Sequence, residues 1–134
     1  MERTFRKSIA SLPEVFSFLE SYMSAQTDDP AAKYAINLAA EEFFTNMVKY
    51  NPESGNDISI RISKEERALK VILVDRDVEP FDVTRAGQVD VTARLESRKV
   101  GGLGIYLSRE LLDAIEYEYS NRNSIITLTK TVEK

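Results

Sequence analysis

The sequence holds 134 residues, 43% hydrophobic and 30% charged, which are the proportions of one globular domain and exclude a disordered chain. It has no cysteine and no histidine, so disulfides, thiolate or imidazole metal sites, Ser-His-Asp triads and cysteine nucleophiles are excluded. Any catalysis must use carboxylates, lysine, arginine, hydroxyls, backbone amides and a hard cation such as magnesium.

A net charge of −4 disfavours a nucleic-acid partner. The first residues are polar and no run approaches the roughly 20 apolar residues of a membrane span, so the expected location is cytoplasmic, with no membrane association. Phe5 to Ile9 reads as a short edge strand. Ser11-Leu12-Pro13-Glu14 is a helix start, and Val15, Phe16, Leu19, Tyr22 and Met23 form an amphipathic stripe that ends near Gln26. Asp28-Asp29-Pro30 starts a second helix, with Asp29 as N-cap, whose apolar positions run to about Tyr50, before a turn at Asn51 to Asn56. Ile58 to Ile62 and Leu69 to Val74 form a hairpin around a charged turn at Lys64 to Arg67. The second strand is apolar at every position near its end, as expected of a strand covered on both faces. Residues 76–100 show no sustained period and predict a long loop. Gly101-Gly102-Leu103-Gly104 opens a third helix through Leu112, and Glu116 to Ser120 and Ser124 to Val132 make a second hairpin around Asn121-Arg122-Asn123. Hairpin-joined strands with helices in separate blocks predict an α+β sandwich over residues 1–134: one largely antiparallel sheet with helices on one face.

Three features could carry chemistry. Glu42 and Asn46, four apart, share a face of the second helix, where an asparagine oxygen suits magnesium and a glutamate can orient or deprotonate a nucleophile. Lys49 and Tyr50 extend that face, although the same residues would equally make a solvated surface. Gly101, Gly102 and Gly104 are three of the chain's five glycines, gathered at a loop-to-helix junction. Unpaired amides there suit a polyphosphate, and a tight turn would need the same glycines. Asp75 and Asp77 end an apolar strand, where a carboxylate can accept from an exocyclic amine such as that of adenine or serve as a turn residue.

Taken together, these motifs resemble the GHKL (histidine-kinase-like) ATPase superfamily. Glu42-Phe43-Phe44-Thr45-Asn46 resembles its N box, Asp75 to Asp82 its first glycine box, and Arg98 to Leu107 its second. Pro80-Phe81-Asp82 and the lack of a histidine phosphoacceptor domain point to the anti-sigma-factor serine/threonine kinase branch. The resemblance implies a Bergerat-type two-layer sandwich with a mixed, mostly antiparallel sheet, binding ATP and Mg2+. It implies Asn46 as the magnesium ligand and Glu42 as the general base acting on a partner's serine. Asp75, or Asp77 in its place, would bind adenine; Gly101, Gly102, Leu103 and Gly104 would line the phosphates, and Lys49 would add a charge contact. The implied partners are an antagonist protein and a sigma factor, with a homodimer permitted by the exposed edge strand. One departure is Asp77, which stands where the first glycine box has a glycine. A carboxylate there favours the alternative of a kinase-inactive protein-binding module of the same fold. A third possibility is an ATP hydrolase switch in which water replaces the serine.

Overall fold

The fold is given by a computed structural model that describes residues 1–50, 56–80 and 100–132. The turn expected at Asn51 to Asn56 falls outside these residues as far as Gly55, and so does the long loop over 81–99, with Phe81, Asp82, Arg98 and Lys99.

Strand β1 (Glu2–Phe5) is followed by a 3-10 turn (Ile9–Ser11) and two helices, α1 (Leu12–Gln26) and α2 (Pro30–Tyr50). Strands β2 (Ile58–Glu65) and β3 (Ala68–Arg76), helix α3 (Val100–Leu111), and strands β4 (Ala114–Ser120) and β5 (Asn123–Thr131) complete the chain. The sheet order is β1-β2-β3-β5-β4, and every pairing among the described strands is antiparallel. The α+β architecture expected from the order of elements is the one observed.

Local chemistry accounts for most boundaries. Asp29 caps α2 by accepting from the amides of Ala31 and Ala32 through Oδ1, at 3.0 and 3.2 Å. Both hairpins turn on residues in the left-handed region: Glu66 (φ 58°) between β2 and β3, and Asn121 and Arg122 (φ 53° and 64°) between β4 and β5. Two consecutive positive φ values are the mark of a type I′ turn, whose twist matches the flanking strands. The β2–β3 turn is tighter than the four charged residues suggested, because Lys64 and Glu65 still pair in the ladder.

Two expectations need correction. The edge strand lies at Glu2–Phe5, not Phe5 to Ile9; only Phe5 of it is buried, so no alternation marks it in the sequence. On α1, Phe18 is buried while Phe16 is only half-buried, because the packed stripe runs through Val15, Phe18, Leu19 and Met23 at helical spacing.

Register places one row of side chains across the helix-facing side of the sheet: Ile60, Leu73, Ile126 and Tyr117 lie opposite one another on neighbouring strands. Ile58, Ile62, Leu69, Val71 and Leu128 share that face, and all five are buried against the helices. From α2 come Ala35, Ile36, Ala39, Ala40, Phe43, Phe44 and Met47, all fully buried. Each large side chain sequestered in this way stabilises the fold by about 1.5–3 kcal/mol. Ile72 and Val74 point to the opposite side and are half-buried, so among the described residues the covered face of β3 is the one that carries Leu69, Val71 and Leu73. Strand β1 is held to α1 by the Phe5–Phe18 edge contact, with ring centroids 5.6 Å apart.

Candidate functional site

The rotational setting of α2 follows from its apolar residues. With Phe43, Phe44 and Met47 buried toward the sheet, Glu42 and Asn46 come to lie together on the flank of the helix. Asn46 is buried and hydrogen-bonds to the Glu42 carboxyl, while Lys49, one turn further, is exposed. Helix α3 packs against α2, and Ile105 and Ser108, three residues apart, are buried on its inward side. Gly104 lies on this inward side, directly against the Glu42 carboxyl: a methyl group added to it would fall on Oε1 and lie 2.5 Å from Cδ. The structure thus brings together Glu42 and Asn46 of the first motif and Gly104 of the second.

Burial is the main influence on Glu42, and its carboxyl is pushed up from 4.5 to about 7; repulsion from Glu41 adds to this, while the Asn46 hydrogen bond and the Lys49 charge oppose it. Its Oε2 is buried with no hydrogen-bond partner among the described residues. A carboxyl that is half protonated near neutral pH, with one oxygen unsatisfied, is suited to accept a proton from an incoming hydroxyl. The Asn46 side-chain oxygen is a hard donor of the kind magnesium takes.

Gly101, Gly102 and Leu103 form the first turn of α3 together with Val100. The glycines are therefore the start of the helix itself. The amides of a first turn have no intrahelical acceptor, which is the property that suits them to phosphate.

Asp75 and Asp77 are separated by the end of β3. Asp75 continues the helix-facing positions Leu69, Val71 and Leu73 and is fully buried. Its Oδ1 pairs with Lys7 Nζ at 2.6 Å, and the lysine side chain is itself only 4% exposed. No local pattern in the sequence marks Lys7. It follows β1, where Ser11 Oγ donates to the Arg6 carbonyl and Ser8 caps the 3-10 turn. Ser124 faces Asp75 across the β3–β5 ladder and is also buried, its Oγ without a hydrogen-bond partner among the described residues. A charged residue in the core-facing register of an otherwise apolar strand was the signal in the sequence that this end of the sheet is polar.

Asp77 is turned away. It has φ 58°, a conformation glycine adopts freely and aspartate tolerates better than most residues. Its exposed carboxylate bonds to Arg122 Nε at 2.8 Å, on the β4–β5 turn. Its carboxylate therefore projects to solvent and not into the helix-facing layer where Asp75 lies. Asp77→Gly exchanges a mildly strained backbone for the loss of an exposed ion pair. Urea denaturation should therefore find the two proteins nearly equal in stability; a clear loss would mean that the Arg122 contact holds the hairpin in place.

Comparison with known proteins agrees with this geometry. A family profile described as the histidine kinase-like ATPase domain matches residues 5–130. The serine-protein kinase RsbW of Bacillus velezensis is 31% identical over 100 residues, covering 71% of this chain and 62% of the relative. RsbW of Staphylococcus aureus is 27% identical over 103 residues, covering 72% and 64%. The match thus spans less than two thirds of the length of these relatives. Among solved structures, the RsbU and RsbW domains of a Mycobacterium tuberculosis protein superpose over all of this chain and 32% of that one, with a TM-score of 0.68 at 13% identity. The SiaB–SiaC complex from Pseudomonas aeruginosa gives a TM-score of 0.57 at 15% identity, over 98% of this chain and 89% of that one. With an α+β sheet and helices in this order and a profile match over nearly its whole length, the chain belongs to the histidine kinase-like ATPase family.

Proposed function

We propose that residues 1–134 act as one ATP-dependent serine kinase domain of the anti-sigma type, which phosphorylates a serine of an antagonist protein and in another state holds a sigma factor. The observation that carries this reading is the Glu42 carboxyl. It is half-buried, near neutral in pKa, beside Asn46, against Gly104, and carries one unsatisfied oxygen. The names and similarity of the RsbW relatives support the same activity.

In this reading Asn46 holds magnesium, and the backbone amides of Gly101, Gly102, Leu103 and Gly104 line the phosphates. Lys49 adds positive charge, and Asp75 accepts from the adenine amine. The unsatisfied Glu42 oxygen fits such a ligand. Magnesium-ATP supplies the transferable phosphoryl group and counter-charge. Glu42 Oε2 takes the proton from the partner's serine hydroxyl, and the packed α2–α3 junction keeps that carboxyl oriented. Positioning and charge neutralisation then supply most of the acceleration. The kinase-inactive alternative rested on Asp77, whose carboxylate is exposed and paired with Arg122, so that support is weakened.

Calorimetric titration with magnesium-ATP tests the site. Micromolar binding is expected in the wild type, weaker by about tenfold or more in Asn46→Ala, the equivalent of one lost contact to a charged group. Equal affinity in the two proteins would remove Asn46 from the site. Absence of binding in the wild type would overturn the kinase reading as a whole.

A further inference from the structure

We infer that Gly104 is a positioning residue for Glu42: its missing side chain leaves the space that the Glu42 carboxyl occupies, so the second glycine motif serves the proton acceptor as well as the phosphates. The catalytic part of this inference rests on the kinase reading above; the steric part does not.

A glycine inside a helix costs about 0.5–1 kcal/mol relative to alanine, so its presence at the fifth residue of α3 needs a reason. Left-handed backbone is not that reason, because Gly104 lies inside α3 with helical backbone. The reason lies across the helix interface. A Cβ on Gly104 would meet Glu42 first: Oε1, then Cδ at 2.5 Å and Cγ at 3.1 Å are the three nearest atoms. Contacts below 3 Å cannot persist, so one partner must move. On either side the surroundings are fixed. Ile105 and Ser108 hold this face of α3 in the interior, and Ser108 Oγ donates to the Gly104 carbonyl at 2.8 Å. On α2, Phe43 and Phe44 are fully buried next to Glu42. The element free to yield is the end of the Glu42 side chain, whose torsions can change rotamer while packing and backbone hydrogen bonds hold the two helices. A methyl group at 104 therefore displaces the carboxyl and leaves the helices in place.

The consequence separates two roles for this glycine. If it matters only through its amide, which alanine retains, Gly104→Ala should transfer phosphate normally. If it matters because the backbone must approach the phosphates closely, the variant should lose ATP affinity whether or not Glu42 is present. If it positions Glu42, transfer should fall, and the loss should disappear as a separate effect once Glu42 is gone.

The experiment compares wild type, Gly104→Ala, Glu42→Ala and the double variant in the full chain. It uses calorimetric ATP affinity, the rate of transfer to a serine-bearing partner, and the crystal structure of Gly104→Ala. The expected results are a displaced Glu42 carboxyl and transfer reduced by about 10²-fold or more in Gly104→Ala, with no further loss when the same change is made beside Glu42→Ala. An undisplaced carboxyl, or ATP affinity lost equally in Gly104→Ala and the double variant, overturns the inference. Should Gly104→Ala fail to fold, a folded double variant upholds it and an unfolded one refutes it. A wild-type protein that binds ATP but transfers no phosphate would overturn the kinase reading alone, because the position of the Glu42 carboxyl still decides the role of Gly104.

Discussion

Replacing Glu42 by glutamine should lower phosphate transfer by about 10²- to 10⁴-fold, the usual contribution of a positioned general base, while leaving ATP affinity nearly unchanged. Glutamine keeps the size of the side chain against Gly104 and removes only the basic oxygen. The pH dependence is a sharper check. With its carboxyl at about 7 in the free protein, Glu42 is the conjugate base in roughly half the molecules at neutral pH, so kcat/KM for transfer, which reports the free enzyme, should rise with pH through about 7 and then level off. Stability should move the other way. The folded-state pKa lies above the ordinary 4.5, so the folded protein holds a proton the unfolded chain has released. That contribution is complete below about 4.5 and is lost as pH rises through about 7. Glu42→Gln, uncharged throughout, should therefore be more stable than wild type at pH 8 and nearly equal to it at pH 5. Urea denaturation at the two pH values measures this; a difference independent of pH would mean that burial does not govern the Glu42 carboxyl.

Lys7→Met should destabilise the fold by about 3 kcal/mol or more, because it leaves the Asp75 carboxylate in the interior without the cation that pairs with it. Lys7 and Asp75 are 4% and 0% exposed and lie 2.6 Å apart, so water screens neither. A surface pair of the same length would be worth less than about 1 kcal/mol. The double variant Lys7→Met, Asp75→Leu should recover most of the loss, since a well-packed apolar pair commonly replaces a buried ionic one without cost. Chemical denaturation of the three variants reads this out. A single variant as stable as wild type would show that other contacts, not Lys7, balance Asp75. The double variant should also lose nucleotide affinity if Asp75 reads the adenine amine, which separates the structural role of the pair from recognition.

The helices and the hairpins were legible in the sequence because they depend on near neighbours. Asp29 caps α2 through amides two and three residues on, and Phe43, Phe44 and Met47 orient the helix by their spacing alone. From that orientation, Glu42 and Asn46 share a flank. Strand β1 was misplaced because an edge strand with a single buried residue carries almost no periodic signal; its position comes from pairing with β2, which is distant in the chain. The partners of the site residues were equally out of reach of a local reading. Lys7 meets Asp75, and Gly104 meets Glu42, only after helices and sheet have packed.

The sequence by itself thus determined the element types and the largely antiparallel architecture, because periods of two and 3.6 residues set the direction of each side chain from the local backbone. Tertiary structure alone decided what each of those residues faces. It paired Asp75 with Lys7, turned Asp77 out toward Arg122, and set the Glu42 carboxyl in the space where Gly104 has no side chain. The physical reason is that contact between distant segments is governed by close packing and by the cost of burying charge, and neither quantity exists until the layers have met.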